Sequence, residues 1–208
     1  MPEGQQTVLR QVGSFATKRG FVLTGGTALA IQLGHRRSVD LDWFTEGEIS
    51  DGLSLAAELR DAGVDFEVTD TARGTLHGQA DGVQVSFLEY RYPALEAPLD
   101  WPDYGCRLAA PEDLACMKLS AIVNRGARKD FIDLYSLGGE RMSLHSMLAL
   151  YRRKYQLADL GHVLMSLTYF DDAEAEEMPV MLWDTGWAEI KDTIEGWVRS
   201  YVELKATS

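Results

Sequence analysis

The hydrophobic pattern divides the chain near residue 108. In the first half, Val8, Leu9, Val12, Phe15 and Ala16 recur at helical spacing within residues 5–19, and Gly20 stops that helix after Lys18-Arg19. Phe21-Val22-Leu23 is a short apolar run, read as a strand, and Gly25-Gly26 then opens a helix through Thr27–Ile31 that ends near Gly34. Val39, Leu41 and Trp43 alternate with Asp40 and Asp42, a period-two pattern that predicts a strand with both carboxylates on one face. A helix capped by Ser50 or Asp51 carries Leu53, Leu55, Ala56 and Leu59. Val64–Thr69 alternates as a strand, while Leu76–Ala80 and Val83–Tyr90 flank Asp81-Gly82 as a hairpin. Residues 93–102 read as a loop.

From Pro111-Glu112-Asp113, a helix start with proline and acids in its first turn, the period becomes helical. Helices are predicted over about 112–124, 128–138, 143–154, 158–169 and 186–204, with the acidic segment 171–177 as a solvated loop. The expected organisation is an α/β core over 1–107 and a helical domain over 108–208, with a cleft between them. There is no internal repeat.

Composition narrows the function classes. With 208 residues, 46% hydrophobic and 25% charged, the chain is ordinary for a globular protein. No apolar run approaches a membrane span, and MPEGQQ lacks the features of a signal peptide. Cys106 and Cys116 have neither zinc nor redox spacing and read as buried thiols in a reducing cytoplasm. A net charge of −12 argues against binding an extended duplex. An acidic body with local basic clusters, His35-Arg36-Arg37 and Arg125, Arg128, Lys129, suits a small anionic ligand or one end of an RNA, and equally a basic protein partner.

Two strand residues at i and i+2 lie roughly 6.5 Å apart, close enough for Asp40 and Asp42 to converge on one or two divalent cations. Gly25-Gly26 taken alone is a tight turn; before a helix it can also present N–H groups to a phosphate. His35-Arg36-Arg37 fits phosphate contact and a basic loop equally well, with His35 as a structural group. Lys118 interrupts an apolar helix face shared with Leu114, Met117, Ala121 and Ile122, and lies two turns from Arg125. Asp130 and Asp133 fall on one face of the next helix. Alone, that second cluster reads as salt bridges between and within helices.

Together, GGTALAIQLGHRRSVDLDWF and LAAPEDLACMKLSAIVNRGARKDFIDLYSL resemble the two motif blocks of the AbiEii/AbiGii-type nucleotidyltransferase toxin family, a branch of the DNA polymerase β-like superfamily. The resemblance spans about residues 20–138. It implies an α/β (α+β) polymerase β-like core with a mixed sheet, followed by a C-terminal helical bundle. It further implies transfer of a nucleoside monophosphate from NTP to an acceptor, such as a tRNA 3′ end or a protein, in a cytoplasmic toxin paired with an antitoxin. By the same resemblance, Gly25, Gly26 and Ser38 hold the triphosphate, and Asp40 and Asp42 bind Mg²⁺ or Mn²⁺. Lys118 acts in catalysis or, with Lys129, contacts phosphate or supports the site, and Asp130 orients a basic neighbour. One position departs. The superfamily's third carboxylate is expected on the strand Val83–Tyr90, where Ser86 stands; Glu89 points to the opposite face unless a bulge turns it. The expectation is one well-formed metal site, with a weakened nucleotide-binding protein acting through a partner as the alternative.

Overall fold

Strands in the first half pair into one seven-stranded mixed sheet, in the spatial order Phe66–Ala72, Thr75–Ala80, Val83–Glu89, Leu41–Thr45, Val22–Leu23, Cys106–Leu108, Leu99–Trp101. The computed structural model describes residues 1–206. Helix α1 (Glu3–Lys18) turns Val8, Leu9, Val12 and Ala16 inward. β1 (Val22–Leu23) leads into α2 (Gly25–Leu33), and β2 (Leu41–Thr45) returns antiparallel beside β1. α3 (Gly52–Asp61) starts at Asp51, whose carboxylate accepts from the Leu53 and Ser54 amides. β3 (Phe66–Ala72), β4 (Thr75–Ala80) and β5 (Val83–Glu89) form a meander, and β5 runs parallel to β2. Asp81 and Gly82 both have positive φ, as a type I′ turn requires.

One short strand falls inside the segment 93–102 expected to be a loop, and a second follows it. β6 (Leu99–Trp101) and β7 (Cys106–Leu108) flank a 3₁₀ turn (Pro102–Tyr104), and β7 adds in parallel to β1. β6 leaves Leu99 and Asp100 exposed and so has no alternation to read.

The second half is helical. α4 (Pro111–Arg125) and α5 (Arg128–Glu140) are separated by Gly126, followed by α6 (Leu144–Tyr155), α7 (Gly161–Leu167), α8 (Asp171–Glu174) and α9 (Trp187–Ala206). Two expectations change here. The helix expected over 158–169 is shorter, because the Asp159 carboxylate takes the Gly161 amide (2.8 Å) and the Thr168 hydroxyl donates to the Met165 carbonyl. The acidic segment from 171 begins with the helical turn α8.

Backbone proximity groups the chain into two units: residues 1–31 with 38–110, and residues 32–37 with 111–208. The excursion of 32–37 into the helical unit departs from a single boundary at 107/108. Its cause is local: the Arg37 amide donates to the Val180 carbonyl, and the Leu182 amide to the His35 carbonyl (2.8 Å each). Among the described residues no helix is long and apolar enough to cross a membrane.

The first unit's core lies on one sheet face, where Leu41, Trp43, Leu76, Val85 and Phe87 are fully buried. Phe87 contacts Phe21 edge-on (5.1 Å), stacks against Trp43 and meets Phe66. Phe87→Ala is expected to cost about 3–5 kcal/mol, from lost transfer energy plus a residual cavity. Urea unfolding measures this; a loss below about 1 kcal/mol would mean that the ring cluster is not central.

Candidate functional site

The opposite sheet face carries the chemistry of the first unit. Leu41 and Trp43 point into the core, so the pleat sends Asp42 to the other side, half-buried. Asp40 precedes β2 by one residue and is also half-buried. Both the amide and the hydroxyl of Thr24 donate to the Asp42 carbonyl (2.8 and 3.1 Å), which fixes the start of α2 against β2. The Thr27 hydroxyl donates to the Asp40 carbonyl and lies 3.0 Å from the Ser38 hydroxyl. Gly25 has a φ of +66°, and a Cβ placed on it would stand 2.5 Å from Asp42 Oδ2. Glycine is required twice over: by backbone conformation, and because the carboxylate occupies the side chain's place. Gly25, Gly26, Ser38, Asp40 and Asp42 therefore come together at the N-terminus of α2. There the first helical N–H groups have no intrahelical acceptor and favour an anion.

Across the same face, Asp42 is in register with Ser86 on parallel β5, and Ser86 with His77 on antiparallel β4. β5 keeps continuous register with both neighbours. Glu89 is accordingly on the other face, paired with Thr45 in register and with Arg91 by its side chain (3.1 Å). Ser86 occupies the strand position beside Asp42, and its hydroxyl lies 2.9 Å from His77 Nδ1. His77 escaped the sequence reading, although the signal was present. A two-residue turn at Asp81-Gly82 sets Ala80 opposite Val83, and counting outward places His77 opposite Ser86. Among the described residues, no three His, Cys, Asp or Glu side chains gather as a metal site. The donor set is the Asp40/Asp42 pair, which matches the habit of Mg²⁺: one or two carboxylates completed by water and substrate phosphate.

In the second unit, charges are buried against one another. Asp133 is inaccessible to solvent and is held by His35 Nε2 (2.7 Å), Arg36 Nε (2.7 Å) and Nη2 (2.8 Å), and Lys118 Nζ (2.6 Å). Lys118 Nζ also donates to Asp130 Oδ1 (3.0 Å), which with Oδ2 receives the Arg125 guanidinium. Burial would raise the pKa of Asp133. The Lys118 charge and hydrogen bonds from His35 and Arg36 outweigh that and hold it far below the carboxylate range. Asp130 is likewise lowered against the pull of burial, by Arg125 and Lys118. Lys118 is raised, because its two carboxylates outweigh a desolvation that would lower it. Asp130 thus positions Lys118 and Arg125. Lys129 lies outside this cluster and is exposed. Arg128 is buried, donating to the Ala173 and Glu174 carbonyls (2.9 and 3.1 Å) and lying over the Trp187 ring. Its charge caps α8. Cys106 and Cys116 are both buried free thiols, and burial pushes them up to about 11 and about 12.

Replacing Asp133 by Asn leaves Arg36 without its carboxylate and Lys118 with Asp130 alone, and is expected to cost about 3–5 kcal/mol. The pH dependence carries the sign of depressed carboxylates. Their stabilisation is full above the ordinary aspartate value of about 4 and is lost as pH falls through the folded values. Denaturant unfolding between about pH 5 and 2 should show a falling stability in the parent and a flatter slope in Asp133→Asn; parallel slopes would contradict this account.

Comparison with known proteins identifies the family of this chain. Two segments, residues 8–100 and 94–200, match the family described as nucleotidyl transferase AbiEii toxin, type IV toxin–antitoxin system. An uncharacterized protein of Aquifex aeolicus (strain VF5) is 36% identical over 201 residues, 96% of each chain. Among solved structures, the nucleotidyltransferase toxin MenT4 of Mycobacterium tuberculosis H37Rv aligns over 94% of this chain and 82% of its own, with TM-score 0.61 and 14% identity. JHP933 from Helicobacter pylori covers 99% and 93%, with TM-score 0.55 and 14% identity. At those identities the structures speak for a shared fold. The sequence matches span nearly the whole chain, and on them this protein belongs to the AbiEii nucleotidyltransferase toxin family.

Proposed function

We propose that this protein is a metal-dependent nucleotidyltransferase that moves a nucleoside monophosphate from NTP to an acceptor hydroxyl, releasing pyrophosphate. The observation that carries this reading is the seating of the Asp42 carboxylate against Gly25 at the start of α2, with Asp40 beside it. Two carboxylates near a helix N-terminus, where phosphate is also favoured, suit a cation that bridges the two. Asp40 and Asp42 would hold Mg²⁺ or Mn²⁺, which supplies charge neutralisation to the triphosphate. The N–H groups of Gly25 and Gly26 and the Ser38 hydroxyl would bind phosphate oxygens. Within the second unit, Asp130 orients Lys118, whose ammonium is engaged by Asp130 and Asp133, and Lys129 is exposed to solvent.

The acceptor we favour is an RNA 3′ end such as that of tRNA, since an acidic protein suits a single terminus better than a duplex. We place the reaction in the cytoplasm, opposed there by an antitoxin. A second reading, a nucleotide-binding protein weakened in catalysis and acting through a protein partner, draws on Ser86. A hydroxyl contributes a dipole where a carboxylate would contribute a full charge to a second cation.

Asp40→Asn and Asp42→Asn are each expected to abolish Mg²⁺-dependent NTP binding while circular dichroism stays native. Unchanged metal affinity in both would refute the assignment. Incubating the protein with each labelled NTP, Mg²⁺ and total RNA separates the two readings: label on RNA supports the transferase, and binding without transfer supports the weakened form. Metal titration should find one tight site in the parent and a strengthened second site in Ser86→Asp. Two tight sites in the parent would overturn the role given to Ser86.

A further inference from the structure

We propose that Ser86 and His77 together take the proton of the attacking hydroxyl, in place of the carboxylate that Ser86 has displaced. The proposal rests on the transferase reading above. Its basis is the row of three side chains across the open face of one sheet: Asp42 on β2, Ser86 on β5 and His77 on β4, consecutive in register. Neighbouring strands lie about 4.8 Å apart, so Ser86 sits one strand from the carboxylate that seats the cation. A serine hydroxyl is too weak a base to accept a proton and keep it. The 2.9 Å contact from Ser86 Oγ to His77 Nδ1 gives it an imidazole to pass its own proton to. His77 is half-buried, and Leu76 and Gly78 on either side are anchored in the core, so its direction is set by the strand.

The step balances as follows. The acceptor O–H bond breaks, and the oxygen's electron pair forms the bond to the α-phosphorus. The proton moves to Ser86 Oγ as the Ser86 proton moves to His77 Nδ1, and the bond from α-phosphorus to pyrophosphate breaks. The imidazolium left behind faces carboxylates on both sides of the row. Asp70 on β3 is its register partner, and Asp42 lies beyond Ser86. α3, the helix packed against β3 and β4, sends its charged Arg60 to the Phe66 carbonyl and Glu58 to Arg19. Ser86 is the residue that touches the acceptor, and His77 is a positioning and proton-holding residue acting through it.

The test uses the full chain with Mg²⁺, NTP and an RNA acceptor. His77→Gln keeps a polar group beside Ser86 but cannot hold a proton. Its single-turnover transfer rate is expected to fall about 100-fold, within the usual range for a general base. NTP binding should be unchanged, and the decline of rate at low pH that the parent shows should disappear. Ser86→Asp in the His77→Gln background should recover transfer, because a carboxylate accepts the proton directly. A rate and pH profile indifferent to His77→Gln would overturn the relay and leave the transferase reading standing. A parent that binds no magnesium nucleotide would overturn both. A readout independent of turnover is the tautomer of His77 from ¹⁵N NMR. The relay requires Nδ1 to accept and Nε2 to carry the proton, and a proton on Nδ1 in the resting protein would overturn it.

Discussion

The pleat of β2 imposes the constraint from which the first unit's site follows. With Leu41 and Trp43 committed to the core, Asp42 has one direction left, and its neighbours in register inherit the same face. A slip of one residue would bury the carboxylate and expose the tryptophan. The hydrophobic contribution of Trp43 and Phe87 therefore does more than stabilise the sheet. It fixes the register that aligns Asp42, Ser86 and His77, and it does so from the opposite, core side of the sheet.

The second unit solves a different problem. Asp133 and Lys118 are buried deeply enough that either alone would be costly. Three cationic or hydrogen-bonding partners converge on one carboxylate, and Lys118 divides itself between two aspartates. Such a cluster gives little net stability relative to an apolar core of the same volume. It ties residues 35 and 36 to α5, through the bonds of His35 and Arg36 to Asp133.

The sequence exposed much of this, and the misses have physical causes. Asp51 as a cap, the turn at Asp81-Gly82 and the Asp40/Asp42 face all rest on interactions within a few residues, so spacing reports them. The partners of Lys118 were harder. Asp130 and Asp133 follow it closely, but His35 and Arg36 reach Asp133 across 98 and 97 residues, and only tertiary structure closes such a distance. The same limit hid Arg128, which reads as a free cation in a basic run but is spent on the carbonyls at the end of α8. β6 was missed because three residues with two exposed carry no period. Segment 32–37 was assigned with its neighbours in sequence, whereas its backbone and side-chain bonds lie with residues more than 90 positions away.

The contact between Gly25 and Asp42 constrains how this sequence can change over time. While Asp42 keeps its full side chain, position 25 has no room for a methyl group, so a substitution there is selected against immediately. A lineage that shortens Asp42 first removes that steric penalty, and position 25 is then free to drift as far as its backbone conformation allows. Once a side chain has settled there, restoring aspartate at 42 would meet a clash, so the two steps are easy in one order and blocked in reverse. The pair behaves as a ratchet, in which the order of the two changes decides whether they can be undone.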